Sequence, residues 1–260
     1  MSLPQDQVVV EVADGIGRIT LNRPDRMNAI SVELATALDR AIGDLADHPE
    51  VNAILIRGAG GNFCAGGDFD EVQRLRAEGP NALRALFTAF KSACDAIART
   101  ETPIVAAVEG VAMAGGFELM QAADIVLVSD KARISDNHIN FGMIPGGGST
   151  ARLPRLVGRQ QALGIILSGD KLSGDDAVTM GLAYRSYPAD DFDSAVETFV
   201  TALAGRDRSA LRAVKRLVTG GLQVSVAQAN ADETDAVVAR ICGKAGADGV
   251  AAFHSREART

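Results

Sequence analysis

The chain has 260 residues, with 26 Lys and Arg against 33 Asp and Glu, for a formal net charge of −7 at pH 7. An acidic chain with no Trp, 2 Tyr and 9 Phe lacks the basic stripe and stacking platform of a nucleic-acid binder. Its 47% apolar and 23% charged residues suit one large globular domain, or one with a small appendage, and no apolar run reaches the roughly 18 residues of a membrane span.

Asp14-Gly15 is a hairpin signal between two apolar runs, so strands are predicted at Val8–Val12 and Ile16–Leu21. Ser31 can cap the next helix, whose Leu34, Leu38, Ala41, Ile42 and Leu45 fall on one face. Val51–Ile56 reads as a short apolar strand that ends in a Gly-rich loop from Gly58 to Gly67. Pro80 suits a first helical turn, and Leu83, Leu86, Phe87, Phe90, Cys94 and Ile97 follow at helical spacing. The unit then recurs: strand Ile104–Val108, a Gly-rich loop over 110–116, a short helix Phe117–Ala123, strand Ile125–Val128, and a loop reaching Ile144-Pro-Gly-Gly-Gly148. From about Arg159 onward the pattern is mostly helical, including Ser209–Val218 and a stretch near Ala227–Ile241. Apolar strands alternating with helices predict an α/β architecture with both sheet faces covered.

Several chemistries drop out on spacing. No phosphate-binding G-x-x-x-x-G-K-[ST] occurs, and Gly110, Gly115 and Gly116 do not form the dinucleotide fingerprint, although Asp130 stands 20 residues beyond Gly110. Gly147-Gly148-Ser149-Thr150-Ala151 misses the nucleophile elbow, and Ser149 reads instead as the N-cap of the next segment. His48, His138 and His254 are scattered, and no paired-Cys or His spacing suggests a metal. Cys64, Cys94 and Cys242 contain no C-x-x-C and cannot all pair internally, which suits a reducing compartment. Met1 to Gln7 has neither the charged nor the apolar region of a secretory leader, so a cytoplasmic location is expected.

Two Gly-rich loops remain, Phe63-Cys-Ala-Gly-Gly-Asp68 and Ala114-Gly-Gly-Phe-Glu118, each after an apolar strand and each leading into a helix. Small residues let backbone approach a ligand, and N–H groups at a helix start point outward with the positive end of the dipole. Two such groups converging on one oxygen would make an oxyanion hole, each donor worth about 3 kcal/mol in the transition state. The alternative is that the glycines only permit tight turns.

Asn22-Arg-Pro-Asp-Arg-Met-Asn-Ala-Ile-Ser31, Asn62-Phe-Cys-Ala-Gly-Gly-Asp68, Pro103 through Glu118, and Phe141-Gly-Met-Ile-Pro-Gly-Gly-Gly148 resemble the enoyl-CoA hydratase/isomerase, or crotonase, superfamily. The tail Asp248-Gly-Val-Ala-Ala-Phe-His-Ser-Arg-Glu257 resembles that family's C-terminal helix, and the match runs in order over nearly the whole chain. The resemblance implies a spiral of ββα units over residues 1–200 and a C-terminal helical trimerisation region over 201–260, in homotrimers or dimers of trimers. It implies a coenzyme A thioester as substrate, with no cofactor beyond the coenzyme A of that substrate; the net charge of −7 and the lack of a long apolar run argue separately against a nucleic-acid or membrane partner.

Residue by residue, Ala65 and Gly115 match the family positions whose N–H groups hold the thioester oxygen. Gly66, Gly67 and Asp68 continue the loop that lines the CoA and acyl path, with Asp68 alternatively a helix cap. Glu118 matches the first of the two glutamates of family hydratases; it is either the base that handles water at the β carbon or a first-turn carboxylate that complements the helix dipole. The second glutamate position falls on His138. An imidazole there can exchange a proton with the α carbon, face a polar acyl group, or merely pack. Asp136 is a second carboxylate candidate for the same pocket. Arg23 and Arg26 would meet CoA phosphates or remain solvated surface charges, and Phe253 would stack on adenine or anchor a helix. The acyl pocket is expected to draw on residues between Phe69 and Phe90. The implied reaction is hydration of an enoyl-CoA through an oxyanion-stabilised enolate. Double-bond isomerisation, decarboxylation and thioester hydrolysis run through the same hole, and a non-catalytic binding subunit is the alternative from another class.

Overall fold

Asp14 and Gly15 sit at φ of 55° and 77°, the left-handed pair that a two-residue hairpin turn requires. They reverse the chain between β1 (Val8–Ala13) and β2 (Ile16–Leu21), which pair antiparallel from Ala13 opposite Ile16 to Val8 opposite Leu21. The computed structural model describes residues 6–243 and 246. In it β3 (Ala53–Gly58), β4 (Ile104–Val108), β6 (Ile125–Ser129) and β8 (Arg185–Tyr187) add to β2 in parallel, giving one sheet of order β1-β2-β3-β4-β6-β8.

A second, smaller layer lies beside it. There β5 (Val111–Met113) pairs in parallel with β7 (Arg133–Ser135), and single bridges from Cys64 to Ala112 and from Ile30 to Gly67 continue the layer. The chain therefore repeats one circuit: a strand of the large sheet, an extended piece in the small layer, then helix. β3 leads through residues 63–67 to α2 (Phe69–Glu78) and α3 (Pro80–Arg99), and β4 leads through β5 to α4 (Gly115–Ala122). β6 leads through β7 to α5 (Ser149–Val157) and α6 (Arg159–Ser168). This is the spiral of ββα units that the resemblance implies.

Alternation along the strands divides the core in two. Ile16, Ala53, Leu55, Val105, Ala107 and Leu127 face α8 (Phe192–Ala204), which covers them with Phe192, Val196, Val200 and Ala204. The opposite side chains, such as Ile19, Ile54, Ile56, Ile104 and Val108, pack under α1 (Val32–Asp47) and α3. Ser31 caps α1 by accepting from the Leu34 N–H at 3.0 Å, and the predicted stripe Leu34, Leu38, Ala41, Ile42 and Leu45 is buried. Each of its buried Leu and Ile side chains contributes about 1.5–3 kcal/mol. Residues 69–78 carry no readable apolar stripe, and only Leu75 of α2 is buried. The cap at Asp68 was its sequence signal. β5, β7 and β8, at three residues each, are too short to show a period.

The chain divides into two compact units, Met1–Arg208 and Ser209–Thr260. The first extends past position 200 because α8 runs to Ala204 and belongs to the sheet's core. The second holds nearly all of α9 (Arg208–Gly221) and α10 (Val226–Cys242), the latter capped by Ser225. Arg240 of α10 donates to Ser209 Oγ at 2.9 Å. Val214, Val218, Val226, Val238 and Ile241 are exposed in these helices, as is Leu222 in the turn between them. Among the described residues no helix is long and apolar enough to cross a membrane.

Gly116 of α4 packs directly against the first Gly-rich loop, where an added Cβ would stand 2.0 Å from the Cys64 carbonyl oxygen. A helical glycine at 164 has open space at the same position. Gly116→Ala is expected to lower stability by about 2–3 kcal/mol, while Gly164→Ala leaves it unchanged or raised; chemical denaturation of the two variants beside the wild type checks this.

Candidate active site

The first Gly-rich loop is an extended segment held between two neighbours, and its amides can be followed one by one. Phe63 N–H donates to Glu109 O, Cys64 N–H to Val111 O and Ala65 N–H to Met27 O, all at 2.9 Å. Gly66 N–H donates to Cys64 Sγ, two residues earlier, at 3.4 Å, and Asp68 N–H donates to Ile30 O at 2.8 Å. Gly67 N–H alone has no acceptor among the described residues. This corrects the assignment of Ala65 as an oxyanion donor: its N–H already holds the Asn22–Ser31 loop in place. The residue two positions on, read before only as lining the acyl path, presents the free donor.

The second loop supplies another. Ala114, at φ 48° and ψ −116°, turns the chain sharply from β5 into α4, a conformation that costs a non-glycine residue of order 1–3 kcal/mol. Gly115 is the first residue of α4, so its N–H has no intrahelical acceptor, nor any other among the described residues. Gly66, at φ 107°, brings the loops together, since a Cβ there would lie 2.8 Å from Ala114 Cβ and 3.2 Å from Gly115 N. Gly67 and Gly115 line one cavity of about 230 Å3, and Gly66 forms its support without lining it.

Glu118, in the first turn of α4, reaches that cavity although it is only 1% exposed. Its Oε1 accepts from Gly147 N–H at 2.7 Å and from Ser149 N–H at 3.0 Å. Ser149 is thus the first residue of α5, with Gly148 at φ 114° as the cap, one position from the expected boundary. The approach needs glycine: a Cβ on Gly147 would stand 2.2 Å from Phe90 Cε1 and 3.0 Å from Glu118 Oε2. Burial pushes the Glu118 carboxyl above the usual glutamate range, outweighing the opposite pull of the Ser149 amide, the His138 ring and the Gly147 amide.

Facing it across the cavity is His138, which begins a short turn over His138–Phe141. Its Nε2 lies 3.9 Å from Glu118 Oε2, and its Nδ1 is 2.7 Å from Asp136 Oδ1. Burial is the largest single influence on the ring and works downward, but Asp136, through its hydrogen bond and charge, and Glu118 raise it above the ordinary imidazole value. Asp136 is 0% exposed and stands behind the histidine, so it does not itself reach the cavity.

The apolar wall comes from Phe69, Val72, Leu86, Phe87 and Phe90, within the expected stretch. Sequence reasoning missed the opposite wall of Phe141, Met143 and Ile144, although their exposure, 69% for Phe141 and 81% for Ile144, marks them as something other than core. Other predicted positions lie elsewhere. Asp68 caps α2 by accepting from Glu71 N–H at 3.1 Å and pairs with Arg23 at 2.7 Å. Its carboxylate is a structural group outside the cavity lining, not a substrate contact there. Arg23 also donates to Ala29 O, and Arg26 pairs with exposed Asp70 at 2.8 Å in a separate polar groove. Phe253 lies outside the described residues. Among those described, no three His, Cys, Asp or Glu side chains cluster to hold a metal ion.

The profile of the enoyl-CoA hydratase/isomerase family matches residues 11–258. A Mycobacterium tuberculosis protein named probable enoyl-CoA hydratase is 31% identical over 254 residues, covering 97% of this chain and 96% of that protein. The peroxisomal Delta(3,5)-Delta(2,4)-dienoyl-CoA isomerase of Arabidopsis thaliana is 27% identical over 220 residues, covering 81% and 79% of the two chains. The crystal structure of an enoyl-CoA hydratase from Mycobacterium smegmatis superposes with a TM-score of 0.90 at 29% identity, over 97% of both chains. With its spiral of ββα units, two free loop amides and a buried glutamate on one cavity, the chain belongs to the enoyl-CoA hydratase/isomerase family.

Proposed function

We propose that the protein is an enoyl-CoA hydratase that adds water across the double bond of an enoyl-CoA thioester, with Glu118 and His138 as its acid–base pair. The observation that carries this reading is the 3.9 Å gap between Glu118 Oε2 and His138 Nε2. The other oxygen of Glu118 and the other nitrogen of His138 are already hydrogen-bonded, so one free atom of each group faces the same point. A water about 2.8 Å from both fits that gap.

In the forward direction the thioester oxygen accepts from Gly67 and Gly115 N–H. The water oxygen adds to the β carbon as Glu118 Oε2 takes a water proton, and the double-bond electrons pass to the thioester as an enolate. Preorganised amides stabilise that charge because they need no reorientation as it develops. His138 Nε2–H then delivers its proton to the α carbon. Through a water that re-enters the gap, the carboxylic acid of Glu118 returns its proton to the neutral ring, and both groups are reset. The apolar wall suits an acyl chain.

The exposed apolar residues of α9 and α10, Val214, Val218 and Ile241 among them, support a role for the C-terminal region in assembly into a homotrimer or a dimer of trimers. The reaction as written uses no cofactor apart from the coenzyme A of the substrate, and a cytoplasmic setting accords with the reading.

With crotonyl-CoA, absorbance of the enoyl thioester should fall, and product formed in H218O should carry the label. Unlabelled product with a moved double bond would instead favour isomerisation, the activity for which the Arabidopsis relative is named. Glu118→Gln keeps an oxygen for the Gly147 and Ser149 amides but removes the base; kcat should drop about 100- to 10,000-fold, with thioester binding retained by calorimetry. Because hydration needs Glu118 ionised and His138 protonated, the rate should be bell-shaped in pH. It falls as pH drops through a Glu118 pKa above the usual glutamate range, and as pH rises through a His138 pKa above the ordinary value of about 6.5. A basic limb unaffected by His138→Gln would remove the histidine from this role.

A further inference from the structure

An imidazole offers two nitrogens, and the partner of one decides which proton state the other presents. β7 ends at Ser135, and the next residue, Asp136, is 0% exposed. Its Oδ1 lies 2.7 Å from His138 Nδ1, while its Oδ2 is buried with no hydrogen-bond partner. A buried carboxylate without a compensating partner is strongly unfavourable, and here the side-chain partner is the His138 ring. The charged groups acting on that ring are Asp136 from its own segment and Glu118 from α4.

An ionised Asp136 only accepts hydrogen bonds, so Nδ1 must carry a proton in either charge state of the ring. The neutral ring then presents a lone pair at Nε2 toward Glu118, and the charged ring presents Nε2–H. We propose that Asp136 is a positioning residue that fixes the tautomer of His138, so that every proton the ring gains or loses passes at Nε2, the atom facing Glu118 and the cavity. The proposal deepens the hydratase reading and rests on it for its catalytic meaning. Asp136 lies behind the histidine and touches no substrate. A lone carboxylate at position 138 would need no such partner, since either of its oxygens can carry the proton.

The test can be made on the full-length protein without ligand. The chain has three histidines, so 15N-detected imidazole spectra are simple, and loss of one set of signals in His138→Gln assigns the residue. In the wild type, His138 Nδ1 should remain protonated throughout while Nε2 titrates. In Asp136→Asn the midpoint should fall by about one pH unit or more, and the neutral ring should become a mixture of tautomers. In turnover, Asp136→Asn should lose about 10- to 100-fold in kcat, with KM changed less than about threefold and the basic limb moved to lower pH.

An Nε2–H tautomer for neutral His138 in the wild type would overturn the proposal, whether or not the variant folds. So would an unchanged midpoint and tautomer in a folded Asp136→Asn. Absence of enoyl-CoA turnover would count against the hydratase reading, while the ligand-free spectra would still decide the role of Asp136.

Discussion

A carboxylate that is 1% exposed must be met by donors, and in this protein the donors are backbone. Glu118 Oε1 takes the amides of Gly147 and Ser149, which requires the 145–149 turn to pass directly over the first turn of α4. That demand reaches outward. Gly146 and Gly147 have no side chains because Phe87 and Phe90 occupy the space where a Cβ would stand. The same two rings form part of the cavity wall. Arg152, from the first turns of α5, donates to Gly147 O and holds the turn from its other side. The position of one charged group thus sets the course of a loop, the choice of glycine within it, and the packing of α3.

Much of the fold was legible because it follows from burial. The hairpin at Asp14-Gly15, the stripe of α1 and the strand Ile104–Val108 were readable from period and turn chemistry. The stripe of α3 was readable too, but its meaning was divided. Ile97 is core, Phe90 is buried yet also lines the cavity, and Phe87 is 42% exposed and lines it too. An apolar stripe reports a face that avoids water and does not distinguish a neighbouring helix from an acyl chain. Elements of three residues left no trace, because a period needs several repeats to show.

The site was legible in its residue types but not in its hydrogen bonds. Glu118, His138, Gly67 and Gly115 do meet on one cavity. Which amide of the first loop is free depends on Met27 O and Ile30 O, contributed by a segment more than 30 residues away. No local pattern reveals that, and so the sequence points to Ala65 where Gly67 carries the open donor. Asp136 was read as a possible occupant of the pocket, whereas its partner is the ring of His138. Side chains two residues apart in a strand-like segment ordinarily point the same way, and the short turn beginning at His138 is what brings these two together.

The cradle around Glu118 has a consequence for motion as well as for chemistry. Hydrogen bonds to an ionised acceptor are roughly twice as strong as those between neutral groups. Gly147 and Ser149 flank the left-handed Gly148 and are both bound to one oxygen, so a proton arriving on Glu118 weakens both tethers at once. The order of the 145–149 turn is therefore greatest when the carboxylate is charged. A neutral Glu118 loosens the turn and a charged one tightens it, so the order of this loop follows the charge of a single buried group.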